Sequence, residues 1–345
     1  MDNPFSLTFG KEPGQMIDRY SQSKEILDSF TAQNPPQQVY MITGVRGSGK
    51  TVFMSSIARK LSKDKNWIVI ELNSSGELLR ELASKLYNVK GLASGFKAEG
   101  INLSFWGIGL DIKKAAPITD LGTAVERMLE RVAKDNKRVL ITIDEVSNSK
   151  EMRYFAGEFQ ILIRHDFPLY LLMTGLYENI NRLQNEDNLT FLYRAPKVYL
   201  SPLNQMRITE RYEKLIGLSK DEAGRIAKIT KGYSFAFQVF GYFIFNKGGD
   251  YEKAFPEIRQ YLDEFVYDKI WMELTEKETS LLAVMAEHKT TEVSRIKEEM
   301  GIKPNEFSVY RDRLIKKGIL DGTKRGMLSF TLPFFDDYIE EHVGE

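Results

Sequence analysis

The chain contains no cysteine. Disulfide bridges, thiolate metal sites and thiol nucleophiles are therefore excluded. Histidine is scarce as well. His165, His288 and His342 lie far apart in sequence, which argues against a histidine-based metal centre. Net charge is also missing, because 48 Lys and Arg balance 48 Asp and Glu. No global pull on a polyanion follows, and only a local basic patch would supply one. The most apolar helical stretch, Phe235 to Phe245, is too short for a bilayer and reads as a buried core helix. Met1-Asp2-Asn3-Pro4 is not a basic segment leading into an apolar one, so no leader is expected. The expected setting is cytoplasmic, without membrane contact. With 345 residues, 42% of them hydrophobic, there is material for two or three domains.

What is present is a phosphate-binding pattern. Gly44-Val45-Arg46-Gly47-Ser48-Gly49-Lys50-Thr51 satisfies G-x-x-x-x-G-K-[ST] at every required position. The apolar run Val39-Tyr40-Met41-Ile42 leads in, and a helical stretch from Lys50 to Leu61 leads out. Strand, glycine loop and helix N-terminus together make an anion site, with backbone N–H groups turned to the phosphates. Gly44, Gly47, Ser48, Gly49, Lys50, Thr51 and Val52 are the candidate nucleotide-binding residues. Lys50 would reach the β- and γ-phosphates, and the Thr51 hydroxyl would face Mg²⁺. Arg46 reads as a solvated, variable position.

Further strands are expected at Trp67–Leu72, Arg138–Glu145, Leu169–Thr174 and Lys197–Leu200, each separated by helical patterns. Five apolar strands alternating with helices imply a parallel sheet covered on both faces. Residues 90–118 break the pattern. Alternation at Ile101, Leu103 and Phe105, then at Ile108, Leu110 and Ile112, predicts a β-hairpin with its turn near Trp106-Gly107. After Ser201 only helices are expected, at about 204–216, 219–229, 233–246 and 251–274.

The strand Arg138–Glu145 ends in two carboxylates, Asp144 and Glu145, at the edge where α/β proteins bind ligands. Asp144 would hold Mg²⁺ together with Thr51, and Glu145 would polarise an attacking water as general base. Thr174 ends the next strand and would bond the γ-phosphate or that water. Arg194 precedes the last strand. It fits either an arginine finger acting on a neighbouring subunit's nucleotide or a structural ion pair.

The loop at 44–51, the strand ending in Asp144-Glu145, the Thr174 strand end and Val198-Tyr199-Leu200-Ser201-Pro202-Leu203 resemble AAA+-related ATPases. Within these the chain is most similar to the STAND and archaeal-type ATPases, relatives of origin-recognition ATPases. The resemblance spans about residues 5–330. It implies an α/β P-loop fold with a five-stranded parallel sheet in the order 2-3-4-1-5, a helical lid and a C-terminal winged helix. It also implies ATP with Mg²⁺ as cofactors. No guanine-reading Asn-Lys-x-Asp motif is present. Pro202 matches the proline that opens the lid near the base. The lid turn reads Gly232-Tyr233-Ser234-Phe235-Ala236, so the glycine of the family turn is kept and its proline is absent. The sensor arginine that many AAA+ lids carry is missing between Gly232 and Phe245, which favours the STAND-like reading. The expected domains are a core at 1–200 with the hairpin insert at about 90–118, a lid at 201–274 and a winged helix at 275–345.

The C-terminal pattern is helix, helix, turn, helix, then a two-stranded wing around Asp321-Gly322. The third helix and wing carry Lys303, Arg311, Arg313, Lys316, Lys317, Lys324 and Arg325. Arg311, Arg313, Lys316, Lys324 and Arg325 are the candidate phosphate contacts to double-stranded DNA. Protein docking fits the same unit equally well. Two functions follow. One is an ATP-hydrolysing switch that couples ATP and ADP states to DNA binding. The other is a nucleotide-regulated module that binds a protein partner or a second copy of itself, with Phe105 and Trp106 as a contact surface. A small-molecule kinase fits less well, since no acceptor pocket is evident.

Overall fold

Apolar residues dominate five short runs, and each forms a strand. The computed structural model describes residues 2–8, 14–109, 112 and 115–342. Two compact units make up the chain. One comprises Tyr20–Thr43 and Phe53–Val198, the other Met1–Arg19, Gly44–Val52 and Tyr199–Glu345.

The first unit holds the sheet. In chain order the elements are α1 (Tyr20–Thr31), β1 (Val39–Thr43), α2 (Lys50–Ser62), β2 (Trp67–Leu72), α3 (Leu78–Tyr87), α4 (Ala93–Ala98), α5 (Leu121–Lys134), β3 (Arg138–Ile143), α6 (Lys150–Arg164), β4 (Leu169–Gly175), α7 (Tyr177–Gln184), α8 (Thr190–Tyr193) and β5 (Lys197–Tyr199). The strand order is β2-β3-β4-β1-β5, as the resemblance implies. Parallel pairing sets Ile141 opposite Leu171, and sets Ile42 opposite Thr174. β4 is buried along its whole length, which an antiparallel sheet with one wet face does not require. One face packs on Leu82 of α3, Met128 of α5 and Phe159 of α6. On the other, Tyr40 and Tyr170 pack against Phe30 of α1. Helix starts are capped locally. The Asp120 carboxylate accepts from Thr123 N, which holds its pKa below the usual range, and Ser149 accepts from Met152 N.

The expected hairpin at 90–118 is not formed among the described residues; Leu110 lies outside them. The segment contains α4, a 3-10 turn at Ser104–Trp106 and irregular chain. Its alternation is real, because Ile101, Leu103 and Ile108 are buried, but they pack on the core rather than in a ladder. Side chains take over the bonding that a hairpin would supply. Asn102 Nδ2 donates to Ala115 O, and Trp106 Nε1 donates to Ile118 O. Trp106 thus packs on the core, while Phe105 is 61% exposed.

The second unit is mainly helical: α9 (Gln205–Ile216), α10 (Lys220–Ile229), α11 (Ser234–Asn246), α12 (Tyr251–Leu262), α13 (Asp268–Met272), α14 (Glu276–Glu287), α15 (Val293–Met300), α16 (Pro304–Lys317), β6 (Leu320–Asp321), β7 (Ser329–Phe330) and α17 (Phe335–His342). The expected single helix at 251–274 is interrupted by a π-helical turn at Asp263–Tyr267. α11 is apolar nearly all round and sits in the core, with Phe237, Val239 and Phe240 buried. Among the described residues no helix is long and apolar enough to cross a membrane. Apolar residues from Leu203 to Ile339 share one hydrophobic core, with Phe5 and Ile17 added from the N-terminal segment. Phe5 lies so close to Gly241 that a Cβ there would come within 2.3 Å of its ring.

α14 and α16 are joined by a buried charge pair. Glu278 is fully buried, and its Oε2 accepts from Thr275 N and from Lys317 Nζ, each at 2.8 Å. Lys317 is therefore a structural residue, not part of a solvated basic face. Burial pushes the Glu278 pKa up, but the Lys317 and Thr275 hydrogen bonds and the Lys317 charge outweigh it and hold it below the usual range. A depressed carboxylate contributes stability above its unfolded pKa and loses it as pH falls through the folded one. Lys317→Met leaves that carboxylate buried without its cation. It is expected to destabilise the unit by about 3–5 kcal/mol, read as a lowered unfolding midpoint at neutral pH.

Candidate functional site

β1 ends at Thr43, and the chain passes directly into the glycine loop, Gly44–Gly49, before α2 begins at Lys50. Gly47 has φ +70°, and a Cβ there would lie 2.1 Å from the Tyr233 hydroxyl oxygen. Both backbone and space therefore demand glycine. The Ser48 N–H closes a turn on Val45 O at 3.2 Å. The Ser48 Oγ is buried and has no hydrogen-bond partner among the described residues. A buried, orphaned hydroxyl inside an anion-type loop fits a phosphate ligand. Lys50 Nζ folds back to donate to Gly44 O at 2.9 Å and Val45 O at 3.0 Å. Thr51 and Val52, in the first turn of α2, are half-buried.

The loop is enclosed by partners within its own unit. Arg46 is partly exposed but is not unpaired. Its Nε donates to Glu273 Oε1 at 2.8 Å and its Nη2 donates to the same oxygen. Position 273 lies 227 residues away, so no local pattern announces that pair. Tyr233 donates its hydroxyl to Arg46 O at 2.6 Å, and Phe235 N donates to Gly47 O at 3.1 Å. Arg19, which the sequence reading missed, donates from Nη2 to Ser48 O at 2.9 Å and to Ser234 Oγ at 2.8 Å. Its Nε donates to Ser201 O at 2.7 Å. Burial brings the Arg19 pKa down to about 10, which leaves it charged at neutral pH. Gly318, at the end of α16, would place a Cβ 3.4 Å from Val45 N. Pro202 is exposed and borders Gly232, whose carbonyl accepts from Leu203 N at 2.8 Å.

In the sheet unit the parallel register brings Asp144, Glu145 and Thr174 together. The Thr174 hydroxyl donates to Asp144 Oδ1 and accepts from Glu145 N at 3.2 Å. Val146 N donates to Thr174 O at 2.8 Å, tying the end of β4 to the residues after β3. The Thr174 proton is thus engaged with a carboxylate, where the sequence suggested a phosphate or water. Glu145 is exposed and sits at φ +52°, the left-handed region. The oxygen donors Thr51 and Asp144 are of the type that Mg²⁺ takes. No cluster of three or more His, Asp or Glu that would hold a metal without such help occurs among the described residues.

Arg194 lies elsewhere. It is exposed, and it lines a cavity of about 330 Å³ with Pro35, Gln38, Gln160, Thr190 and Phe191. These residues flank the starts of β1 and β5, the sheet edge opposite Asp144 and Thr174. In the helical unit Arg311 pairs with Asp312 at 2.8 Å. Arg313 and Lys316 are exposed on α16, and Lys324 and Arg325 are exposed between β6 and β7.

The sequence model of a family described as an ATPase domain predominantly from Archaea matches residues 16–191, just over half of the chain. A second model, of a domain of unknown function, matches residues 264–339. No curated protein matches. Among solved structures, the Walker-type ATPase of Pyrococcus abyssi is similar at TM-score 0.66 and 15% identity, covering 97% of this chain and 99% of that one. The ORC2 protein of Aeropyrum pernix, in ADPNP–ADP complexes, is similar at TM-score 0.59 and 13% identity, covering 98% and 96%. At these identities the likeness establishes the fold.

The strained backbone at Glu145 yields a two-sided expectation. Glycine adopts φ +52° without steric cost, so Glu145→Gly should gain about 1 kcal/mol of stability. The same change should lower nucleotide turnover by about 100-fold or more if the carboxylate is the base. Thermal unfolding and steady-state phosphate release check the two halves separately.

Proposed function

This chain belongs to the family of ATPase domains found predominantly in Archaea, and on that premise we propose that it is an ATP-driven molecular switch with a DNA-binding C-terminal unit. The observation that carries this reading is that the glycine loop packs in one compact unit with the lid and C-terminal helices. Val45 adjoins Gly318 of α16, and Arg46 is paired with Glu273, just before α14. A change in the loop on binding phosphate has a short path to the helices that would touch DNA. Coupling requires only that ATP and ADP differ in affinity for the two arrangements.

In this reading the loop N–H groups and Ser48 Oγ bind the phosphates. Lys50 leaves Gly44 O and Val45 O to reach the β- and γ-phosphates. Thr51 and Asp144 would hold Mg²⁺, which neutralises phosphate charge when bound. Thr174 keeps the Asp144 carboxylate oriented through its hydroxyl. Glu145 takes a proton from the attacking water as the new O–P bond forms and the bond to the ADP oxygen breaks. Pro202 would border the base, and Arg194 would act on the nucleotide of a second copy. α14 to α16 with the β6–β7 ladder form the winged-helix arrangement, with Arg311, Arg313, Lys316, Lys324 and Arg325 toward phosphates. A second reading rests on the 61% exposed Phe105. An exposed aromatic on an irregular loop fits protein docking, with nucleotide regulating a protein partner instead of DNA.

Fluorescence anisotropy with duplex DNA separates the two readings. The DNA switch predicts salt-sensitive binding that depends on nucleotide, is lost in Lys50→Ala and is weakened in Arg313→Ala/Lys316→Ala. Five phosphate contacts would give a log–log salt slope of about −4 to −5. Absence of binding with ATP, with ADP and without nucleotide would sink the DNA reading and favour the Phe105 surface.

A further inference from the structure

Five consecutive carbonyls of the glycine loop are engaged, and they divide into two groups. Gly44 O and Val45 O accept from Lys50 Nζ. Arg46 O accepts from the Tyr233 hydroxyl and Gly47 O from Phe235 N. Ser48 O accepts from Ser234 Oγ at 2.9 Å and from Arg19 Nη2. The first group depends on the one side chain that must move to meet a phosphate. The second depends on residues 233–235 and Arg19, none of which need move.

Peptide planarity gives the second group its consequence. In a trans peptide the C=O of one residue and the N–H of the next point in opposite directions, and no peptide among the described residues is cis. Carbonyls drawn toward Tyr233, Phe235 and Ser234 therefore turn the N–H groups of Gly47, Ser48 and Gly49 the other way. Ser48 N closes the loop's own turn on Val45 O. The N–H groups of Gly47 and Gly49 are left directed as an anion nest requires.

We propose that Tyr233, Ser234 and Arg19 are positioning residues that pre-set the phosphate loop by holding its carbonyls from behind. The proposal rests on the reading of residues 44–51 as the nucleotide site. It assigns to an N-terminal arginine and a lid tyrosine and serine a task distinct from touching the nucleotide. Burial pushes the Tyr233 hydroxyl well above the usual tyrosine range, so it stays protonated and donates at every physiological pH. Arg19 binds both the loop and Ser234, so the loop and the start of α11 are held as one piece. When Lys50 swings to the phosphates, the tethers on 46–48 keep the loop from relaxing.

The test is nucleotide affinity and turnover in Tyr233→Phe, Ser234→Ala and Ser234→Thr, with Lys50→Ala as control and Mg·ATP as the probe. Tyr233→Phe keeps the ring and removes only the donor. Loss of one neutral hydrogen bond to the loop should raise Kd and KM for ATP by about fivefold. A loop that holds ground and transition states alike leaves kcat within about twofold. Ser234→Ala should behave in the same way, and Ser234→Thr should restore affinity. Unchanged affinity in both Tyr233→Phe and Ser234→Ala overturns the proposal, as does a fall in kcat at constant KM. If Tyr233→Phe does not fold, the Ser234 pair alone decides. Lys50→Ala keeps two failures apart: full ATP binding in that variant refutes the site itself, whereas its loss alongside an indifferent Tyr233→Phe refutes only the tethers.

Discussion

Parallel pairing of β4 between β3 and β1 is the constraint on which the chemistry depends. It aligns three strands so that their carboxyl ends emerge at one edge of the sheet. At that edge Asp144 and Glu145 follow β3, Thr174 lies near the end of β4, and the chain leaves β1 for the glycine loop. A slip of one residue between β3 and β4 would turn Thr174 to the opposite face and break its bonds to Asp144 and Glu145. The register is protected by burial. β4 is buried at all seven positions, so any slip would strand apolar side chains or uncover ladder groups.

The glycine loop answers to a different constraint, that of space. Gly47 is fixed by its positive φ and by the Tyr233 hydroxyl that occupies the position of any side chain. The loop is consequently shaped by what lies behind it as much as by its own sequence. Tyr233, Phe235, Ser234 and Arg19 each satisfy a backbone carbonyl that would otherwise turn to solvent or to a neighbouring N–H. Phosphate loops are often described by their glycines alone. Here the glycines permit the shape and the residues behind them hold it.

Legibility followed the range of the interactions. The loop, the five strands and the C-terminal helices were legible because each is written in a local period or motif. Asp144 beside Thr174 was legible because parallel β/α order brings strand ends together. Residues 90–118 misled because period two marks any extended chain with one buried side. Ile101 and Leu103 alternate into the core without a partner strand, and only the side-chain bonds of Asn102 and Trp106 reveal it. The Arg46 ion pair was missed for a related reason. A lone arginine in a loop looks unpaired until Glu273 is known to face it. Arg19 stands just before α1 in a polar stretch, and nothing nearby marks it as a half-buried cation bound to the loop.

Charge in the C-terminal helices shows how composition can mislead in the other direction. The cluster read from the sequence contained seven basic residues, yet they do not share one environment. Lys317 is committed to the interior, where it offsets the burial of Glu278 and fixes α16 against α14. Arg311 is held by Asp312. Lys303, Arg313, Lys316, Lys324 and Arg325 are exposed, and in the proposed reading they would face an anionic surface. In a chain of zero net charge this is a small footprint, without long-range reinforcement. Such a surface would bind weakly by itself and be sensitive to where its neighbours place it. The proposed switch would need that property, because a modest rearrangement would then decide whether these cations meet phosphates or water.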